Sequence, residues 1–407
     1  MDNITHSLIG AAFGEAFYQV AKTKGSAKEN SRPVFYLVSI LANNFPDLDL
    51  LYRFLDPSSL GYLLHHRGHT HTFIWLWPQL LLMLLIVGVY AKAKDHEFIS
   101  KEKLWLIFTA AAGLHLHIGM DYLNSYGVHP LHPFNNEWFY GDRIFIIEPL
   151  MWSVLLPLLY LSAKSKWKHI TKLPCSALII FGVYAQALNF FSLVVIGFLT
   201  IFTFYLLNKS SELMRPFKSI VLLLLVISTF GVFGSLALDK IINDTENNRL
   251  TKLIDLIISP TPANPFCWTV LLIDGDTKNY RIHRGVVNIL PALSDCPDLS
   301  RGIPNELMRA PSEFKDTAHI DWMGFYKTTY SKLLNEINKN CELKAWFQFA
   351  RAPLKEGTFY TDVRFPGPRR GGFASLNTQV EDGQSCPPYS APWRPPLNYE
   401  KLLKRAP

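Results

Sequence analysis

The feature that most constrains this chain is where its long apolar runs fall. Segments 73–91, 104–120, 144–163 and 218–238 each approach or exceed the roughly 20 apolar residues needed to cross about 30 Å of hydrocarbon. All lie in residues 1–240. Segment 175–207 is too long for one helix and carries Gln186 and Asn189 near its middle, so it reads as a helical hairpin. Segments 5–21 and 34–51 are shorter and more polar, which suits spans or re-entrant elements shielded by a bundle. Only 18% of the chain is charged, against about a quarter in soluble proteins, and that deficit sits in the first 240 residues. The expected fold is mainly α: a polytopic helical membrane domain over 1–240, then an α+β extramembrane domain over 241–407.

Charge sets the expected orientation. The net charge of +7 is split among short loops. Lys22, Lys24, Lys28 and Arg32 fill one; Lys92, Lys94, Lys101 and Lys103 another. Lys164, Lys166, Lys168 and Lys172 fill a third, and Lys209, Arg215 and Lys218 a fourth. Loops 45–72 and 122–143 hold only Arg53, Arg67 and Arg143. By the positive-inside rule the basic loops face the cytoplasm. Scattered lysines of this kind make no nucleic-acid footprint. No basic n-region of a cleavable signal is visible.

On that topology, the residues a metal ion would bind converge on the outward side. His6 opens the first apolar segment. Asp47 and Asp49 close the second, just after Pro46, which favours a break there. His66 and His71 precede the third and flank Arg67-Gly68, where Gly68 permits a turn. His117 and Asp121 close the fourth, four residues apart on one helix face. His115 points to nearly the opposite side; His65, His69 and His132 lie nearby. Mixed imidazole and carboxylate donors suit zinc or manganese. Seven candidates suggest one or two ions, and two ions sharing a carboxylate would clamp both oxygens of a phosphoester in flight. Arg67 and Arg143 could grip a substrate phosphate by paired hydrogen bonds. Asp142 and Glu148 are candidates for a general base or an outer partner.

Residues 241–407 read as an extramembrane cap or lid. A linker over 239–265 turns proline-rich. Phe266–Ile273 and Tyr280–Leu290 flank Asp-Gly-Asp, a strand–turn–strand pattern. Segment 316–349 has helical spacing, 360–365 suits a strand, and the tail from Pro366 is loose. Cys267, Cys296, Cys341 and Cys386 form an even set, compatible with one or two disulfides in an oxidising compartment, while Cys175 lies in the apolar region.

These motifs resemble the bacterial membrane-bound metal-dependent hydrolases, a family that includes LexA-regulated inner-membrane proteins. The likeness is carried by Met1–Gly10, Asn44-Phe-Pro-Asp-Leu-Asp49, His65-His-Arg-Gly-His-Thr-His71 and His117-Ile-Gly-Met-Asp121. Ser125-Tyr-Gly127, Phe139–Arg143 and Glu148-Pro149 extend it over about residues 1–165, and Pro262–Trp268 looks similar to the start of the family's C-terminal part. The resemblance implies His6, Asp47, His66, His71, His117 and Asp121 as the functional set. The motif order is also loosely similar to helical zinc-dependent phospholipase C enzymes, the one pointer to phosphoesters. The expected function is a hydrolase in the bacterial inner membrane, with site and C-terminal domain in the periplasm. Its partners are membrane lipids and a lipid-like substrate, and nucleic acid is not among them. The competing readings are a divalent-metal transporter, which needs polar groups through the depth of the bundle, and a membrane protein with a structural metal. Glu15, Gln186 and Asn189 are the isolated polar groups at depth.

Overall fold

Side chains of Asp2, Glu148 and Asn189 cap the starts of three helices, and one helix gives way just before Pro46. The computed structural model describes residues 1–55, 59–93, 97–163, 188–246, 253–297, 303–308, 313–365, 372–379, 386–387 and 391–397. Helix α1 (Asn3–Thr23) starts at Asp2, whose carboxylate accepts from the amides of Ile4 and Thr5. Helix α2 (Arg32–Ala42) gives way at Asn43-Asn44 to a 3₁₀ segment (Phe45–Phe54), and the pair bends by 47°. The bend turns Asp47 and Asp49 inward while Leu48, Leu51 and Phe54 stay exposed. The short α3 (Ser59–His65) and a 3₁₀ turn (His69–His71) lead into α4 (Leu76–Ala93) and α5 (Ser100–Tyr122). Then come α6 (Pro149–Ser162), α7 (Phe190–Asn208) and α8 (Met214–Glu246).

Among the described residues, four helices (α4, α5, α7 and α8) are long and apolar enough to cross a membrane, or five if the bent pair counts as one span. Segment 144–163 departs from its expected span. Its helix begins only at Pro149, with Glu148 as the cap, and 14 residues reach about 21 Å. Every residue from Pro149 to Leu158 is buried, so its apolar character serves the bundle centre. The first half of the expected hairpin, with Gln186, Cys175 and the third lysine group, lies outside the described residues. Asn189 caps α7 by accepting from Ser192 N. Glu15 is not isolated: Arg32 grips it at 2.9 and 2.7 Å and Gln19 donates to it at 2.8 Å. Lys28 reaches Glu97 O and its amide reaches Glu102, which ties the α1–α2 and α4–α5 links together at one end of the bundle.

The C-terminal region is α+β. Strands β1 (Leu253–Thr261), β2 (Asn264–Gly275), β3 (Asn279–Asn288) and β4 (Ile320–Thr329) form an antiparallel sheet in that order. Strands β5 (Pro353–Glu356), β6 (Phe359–Asp362) and β7 (Ser375–Asn377) form a second. Helices α9 (Asn305–Met308), α10 (Tyr330–Lys339) and α11 (Cys341–Trp346) complete it. Two expectations are corrected here. The linker over 239–265 is largely regular: α8 continues to Glu246 and β1 begins at Leu253. Segment 316–349 is helical only from Tyr330. The spacing of Trp322 and Phe325 that suggests a helix comes from a bulge. Arg284 pairs with Gly324 and Gly285 with Trp322, so Met323 is an extra residue and the two aromatic rings share a buried side. Disulfides join Cys267 to Cys296 and Cys341 to Cys386.

The β2–β3 turn carries a testable acid sensitivity. Burial raises the Asp276 carboxyl, but donors from Asn279, from the amides of Lys278 and Asn279, and from Arg281 bring it down to about 2. An unfolded aspartate titrates near ~3.9. The native state therefore binds fewer protons, and this contribution is present above about pH 4 and lost as pH falls toward 2. Asp276→Asn is expected to flatten the acid limb of an unfolding-midpoint profile over that window. An unchanged limb would contradict the assignment.

The two regions share one core. Trp268, Val270 and Leu272 of β2 pack with α6 and α8 residues such as Trp152, Phe230 and Ala237. Polar clamps surround that contact. Arg364 donates to Ser125 O at 2.8 Å, Arg394 N to Asn136 O at 2.8 Å, and Ala263 N to Glu148 at 3.1 Å. The C-terminal region thus grips the loop between α5 and α6.

Candidate metal centre

Four ligand-type atoms from three elements (the 3₁₀ segment, the His69–His71 turn and α5) meet at the bundle end opposite the described lysine loops. His71 Nε2 and His117 Nε2 lie 3.0 Å apart. His71 Nε2 is 3.3 Å from both Asp47 Oδ1 and Asp121 Oδ2, and His117 Nε2 is 3.5 Å from each. All four side chains are buried. Asp47, His71, His117 and Asp121 therefore offer ligand atoms within 4.8 Å of one another, and Asp47, Asp49 and His66 form a second such group. Asp47 belongs to both.

The surroundings aim these atoms. His117 Nδ1 donates to Asn43 O at 2.6 Å, so its proton sits on Nδ1 and Nε2 keeps its lone pair. Asn43 is free to accept because the helix ends there. His71 Nδ1 faces Asp49 Oδ2 at 3.1 Å and Thr70 Oγ1 at 3.0 Å, which leaves its Nε2 for the cluster. Asp49 Oδ2 also accepts from Arg67 N at 2.9 Å and Thr70 Oγ1 at 2.8 Å. Its other oxygen lies 3.1 Å from His66 Nδ1, which is 3.9 Å from Asp47 Oδ1. Asp121 divides its oxygens too. Oδ1 takes Arg67 Nη2 at 2.8 Å, the Met1 amine and His6 Nε2 at 3.2 Å. Oδ2 is buried, has no hydrogen-bond partner among the described residues, and points at the two imidazoles. A buried carboxylate oxygen facing two nitrogen lone pairs fits a cation and costs free energy without a positive charge. These donors suit zinc or manganese.

His6 stands beside the cluster. Its ring stacks on His117 at 4.0 Å and its nitrogen meets the Asp121 oxygen that Arg67 also holds, so it belongs to neither four-atom nor three-atom group. The four residues read as catalytic go elsewhere. Arg67 is held inside by its two terminal nitrogens: Nη2 donates to Asp121 Oδ1 at 2.8 Å, Nη1 donates to Asp121 O, Asn124 Oδ1 and Gly127 O at 3.1 Å, and its guanidinium covers the Tyr126 ring. It positions Asp121 instead of waiting for a phosphate. Arg143 lies against Gly234 of α8. Asp142 pairs with Arg351 at 2.8 Å, and Arg351 pairs again with Asp255 at 2.7 Å. Glu148 caps α6 and accepts from Leu150 N and Ala263 N. The left-handed residue of the His-His-Arg-Gly loop is Arg67 (φ 57°), not Gly68. Gly68 is there for space, since a Cβ would lie 2.6 Å from His65 O.

His115 donates to Ala111 O and stacks on Phe73, away from the cluster as expected. His65 stacks on Tyr52, and His132 faces Asn136 Oδ1 at 2.6 Å. His69 lies 5.3 Å from the His132 ring. His129 is absent from the sequence reading. It is buried between Trp393 (4.1 Å) and Trp138 (4.7 Å), with neither ring nitrogen hydrogen-bonded among the described residues. Asn43, Thr70 and Asn124 were equally unmarked, because a single amide or hydroxyl in a loop carries no spacing signal.

Asp49→Asn tests the orienting role. The amide loses one anionic acceptor for His71 Nδ1–H, and metal affinity is expected to fall about 10–100-fold. Chelator competition measures it, and wild-type affinity in the variant would contradict the role.

Residues 1–189, which hold every candidate metal ligand, match the family model of the YdjM inner membrane protein, so this part of the chain is similar to that family. No curated protein and no solved structure matches the chain.

Proposed function

We propose that the protein is a membrane-bound, metal-dependent hydrolase whose centre faces the outside of the cytoplasmic membrane and acts on a phosphoester. The observation that supports it is the paired arrangement: two imidazole Nε2 atoms and two carboxylate oxygens pointing inward, each fixed from behind, with a second group joined through Asp47. Asp47 would bridge two ions, with His71, His117 and Asp121 completing one side and Asp49 and His66 the other. A bound divalent ion of this kind supplies a water of lowered pKa and Lewis-acid stabilisation of a phosphoryl oxygen. The chain's own part is to hold the donors: Asn43 and Asp49 set the histidine tautomers, and Arg67 keeps Asp121 turned inward. The buried setting strengthens each of these interactions.

Orientation is supported from both ends. The cysteine bridges Cys267–Cys296 and Cys341–Cys386 belong to an oxidising compartment, and their region packs on the end of the bundle that carries the centre. The described lysine-rich links occupy the other end. Against a transporter stands the use already made of the polar groups at depth: Glu15 is tied to Arg32, and Asn189 caps a helix.

The test is metal analysis and turnover together. Protein purified from membranes without chelator is expected to carry stoichiometric zinc or manganese and to cleave bis(p-nitrophenyl) phosphate, with both lost on chelation and restored by the ion. Absence of a stoichiometric ion in such a preparation would overturn the reading.

A further inference from the structure

Helices α1 and α2 meet tightly at only part of their length. A Cβ on Gly10 would lie 2.8 Å from Ser39 O, and one on Gly14 2.9 Å from Phe35 O, so the backbones touch there. Beyond Gly10, toward the centre, the contact changes character. Asn44 Nδ2 donates to Ser7 Oγ at 3.0 Å, Asn3 Nδ2 lies 3.4 Å from Asn44 Oδ1, and Asn3 Nδ2 donates to Asp47 Oδ2 at 2.8 Å. Asn3 is exposed and Asn44 half-exposed. A short polar seam therefore runs from the surface to the carboxylate common to both donor groups. Apolar side chains flank its mouth: Ile4 is 49% exposed, Leu48 44% and Leu51 56%. Trp75, Trp77 and Leu81, on and before α4, are uncovered as well. Exposed leucine and isoleucine beside tryptophans is the composition of a membrane interface. On the opposite side the centre is roofed. Tyr126 packs edge-on against His66, and Phe349, Phe365 and Phe373 of the C-terminal region pack on Tyr126.

From this juxtaposition we infer that the centre is entered sideways from the bilayer, between the start of α1 and the 3₁₀ segment, by a phospholipid-type amphiphile whose anionic phosphate passes Asn3 and Asn44 while its chains stay against Ile4, Leu48 and Leu51. The inference rests on the metal-centre reading above. The amide groups at Asn3 and Asn44 are uncharged donors, suited to pass a phosphate without trapping it toward the site where Asp47, His71, His117 and Asp121 would hold a cation. Water-soluble esters lack the apolar part that the flanking side chains would hold.

The experiment uses the full chain loaded with Mn²⁺ and reads phosphorus–manganese coupling by electron–nuclear double resonance. One sample sits in nanodiscs of a non-hydrolysable diether phosphatidylglycerol. A second sits in nanodiscs of a phosphate-free glycolipid with added inorganic phosphate. Coupling to lipid phosphorus is expected in the first, lost in Ile4→Asp/Leu48→Asp while Mn²⁺ stays bound. Coupling to inorganic phosphate without coupling to the lipid would overturn lateral entry and leave the metal centre standing. Lipid coupling that persists in the double variant would also overturn it, because the headgroup would be arriving by another path. Failure of the wild-type protein to hold Mn²⁺ would remove the metal centre and this inference with it.

Discussion

Asp47→Ala is expected to strip the protein of its metal and lower turnover by more than about 100-fold, exceeding the 10–100-fold typical of losing an outer partner. The reason is placement. Asp47 Oδ1 is 3.3 Å from His71 Nε2, 3.5 Å from His117 Nε2 and 3.9 Å from His66 Nδ1. Among the described residues, no other belongs to both donor groups. Truncation removes one negative charge from a buried site and leaves imidazoles facing one another. Asp47→Asn separates size from charge. It keeps the hydrogen bond to Asn3 within reach but offers a neutral oxygen, so it is expected to resemble the alanine variant in metal content. Metal analysis of the purified variants decides, and Asp47→Ala with wild-type metal would contradict the bridging role.

The second large effect lies away from the centre. Arg351 is buried between two carboxylates: Nη1 donates to Asp142 at 3.1 and 2.8 Å, while Nε and Nη2 donate to Asp255 at 2.7 and 3.0 Å. The Tyr140 ring covers its face at 3.9 Å. Arg351→Met leaves Asp142 and Asp255 facing each other with no cation, and breaking a buried pair in this way costs about 3–5 kcal/mol. The unfolding midpoint in detergent is expected to fall accordingly. Arg351→Lys keeps the charge but loses the fork, and is expected to recover only part. The triple variant Asp142→Asn/Asp255→Asn/Arg351→Met removes the uncompensated charges and is expected to be more stable than Arg351→Met alone. A single variant as stable as wild type would show that this triad does not fasten the C-terminal region to the α5–α6 loop.

The convergence at the centre was legible because polar residues at the ends of apolar runs are rare and costly. The bend at Pro46 and the i, i+4 spacing of His117 and Asp121 also carried geometric information in the chain itself. Roles were harder to read than positions. Arg67 stands on a loop nearly free of other cations, which suggests a substrate contact. Only packing reveals that its two terminal nitrogens are already held by Asp121, Asn124 and Gly127. Asp142 and Glu148 are acids next to the motif-bearing loops in sequence, yet their partners Arg351 and Ala263 lie more than a hundred residues away. The strand at Ile320–Thr329 was hidden by one bulge residue, Met323, which gives a β-strand the apolar spacing of a helix. Helix α6 looked like a span because a helix buried on all sides and a helix bathed in lipid have the same composition.

The most direct test of the account is an anomalous-scattering map of zinc-replete crystals, recorded on both sides of the zinc edge. The account predicts a peak bounded by Asp47, His71, His117 and Asp121, with a second toward Asp49 and His66 when both groups are filled. A map with no peak among these side chains, from protein shown to be folded and zinc-replete, would contradict it.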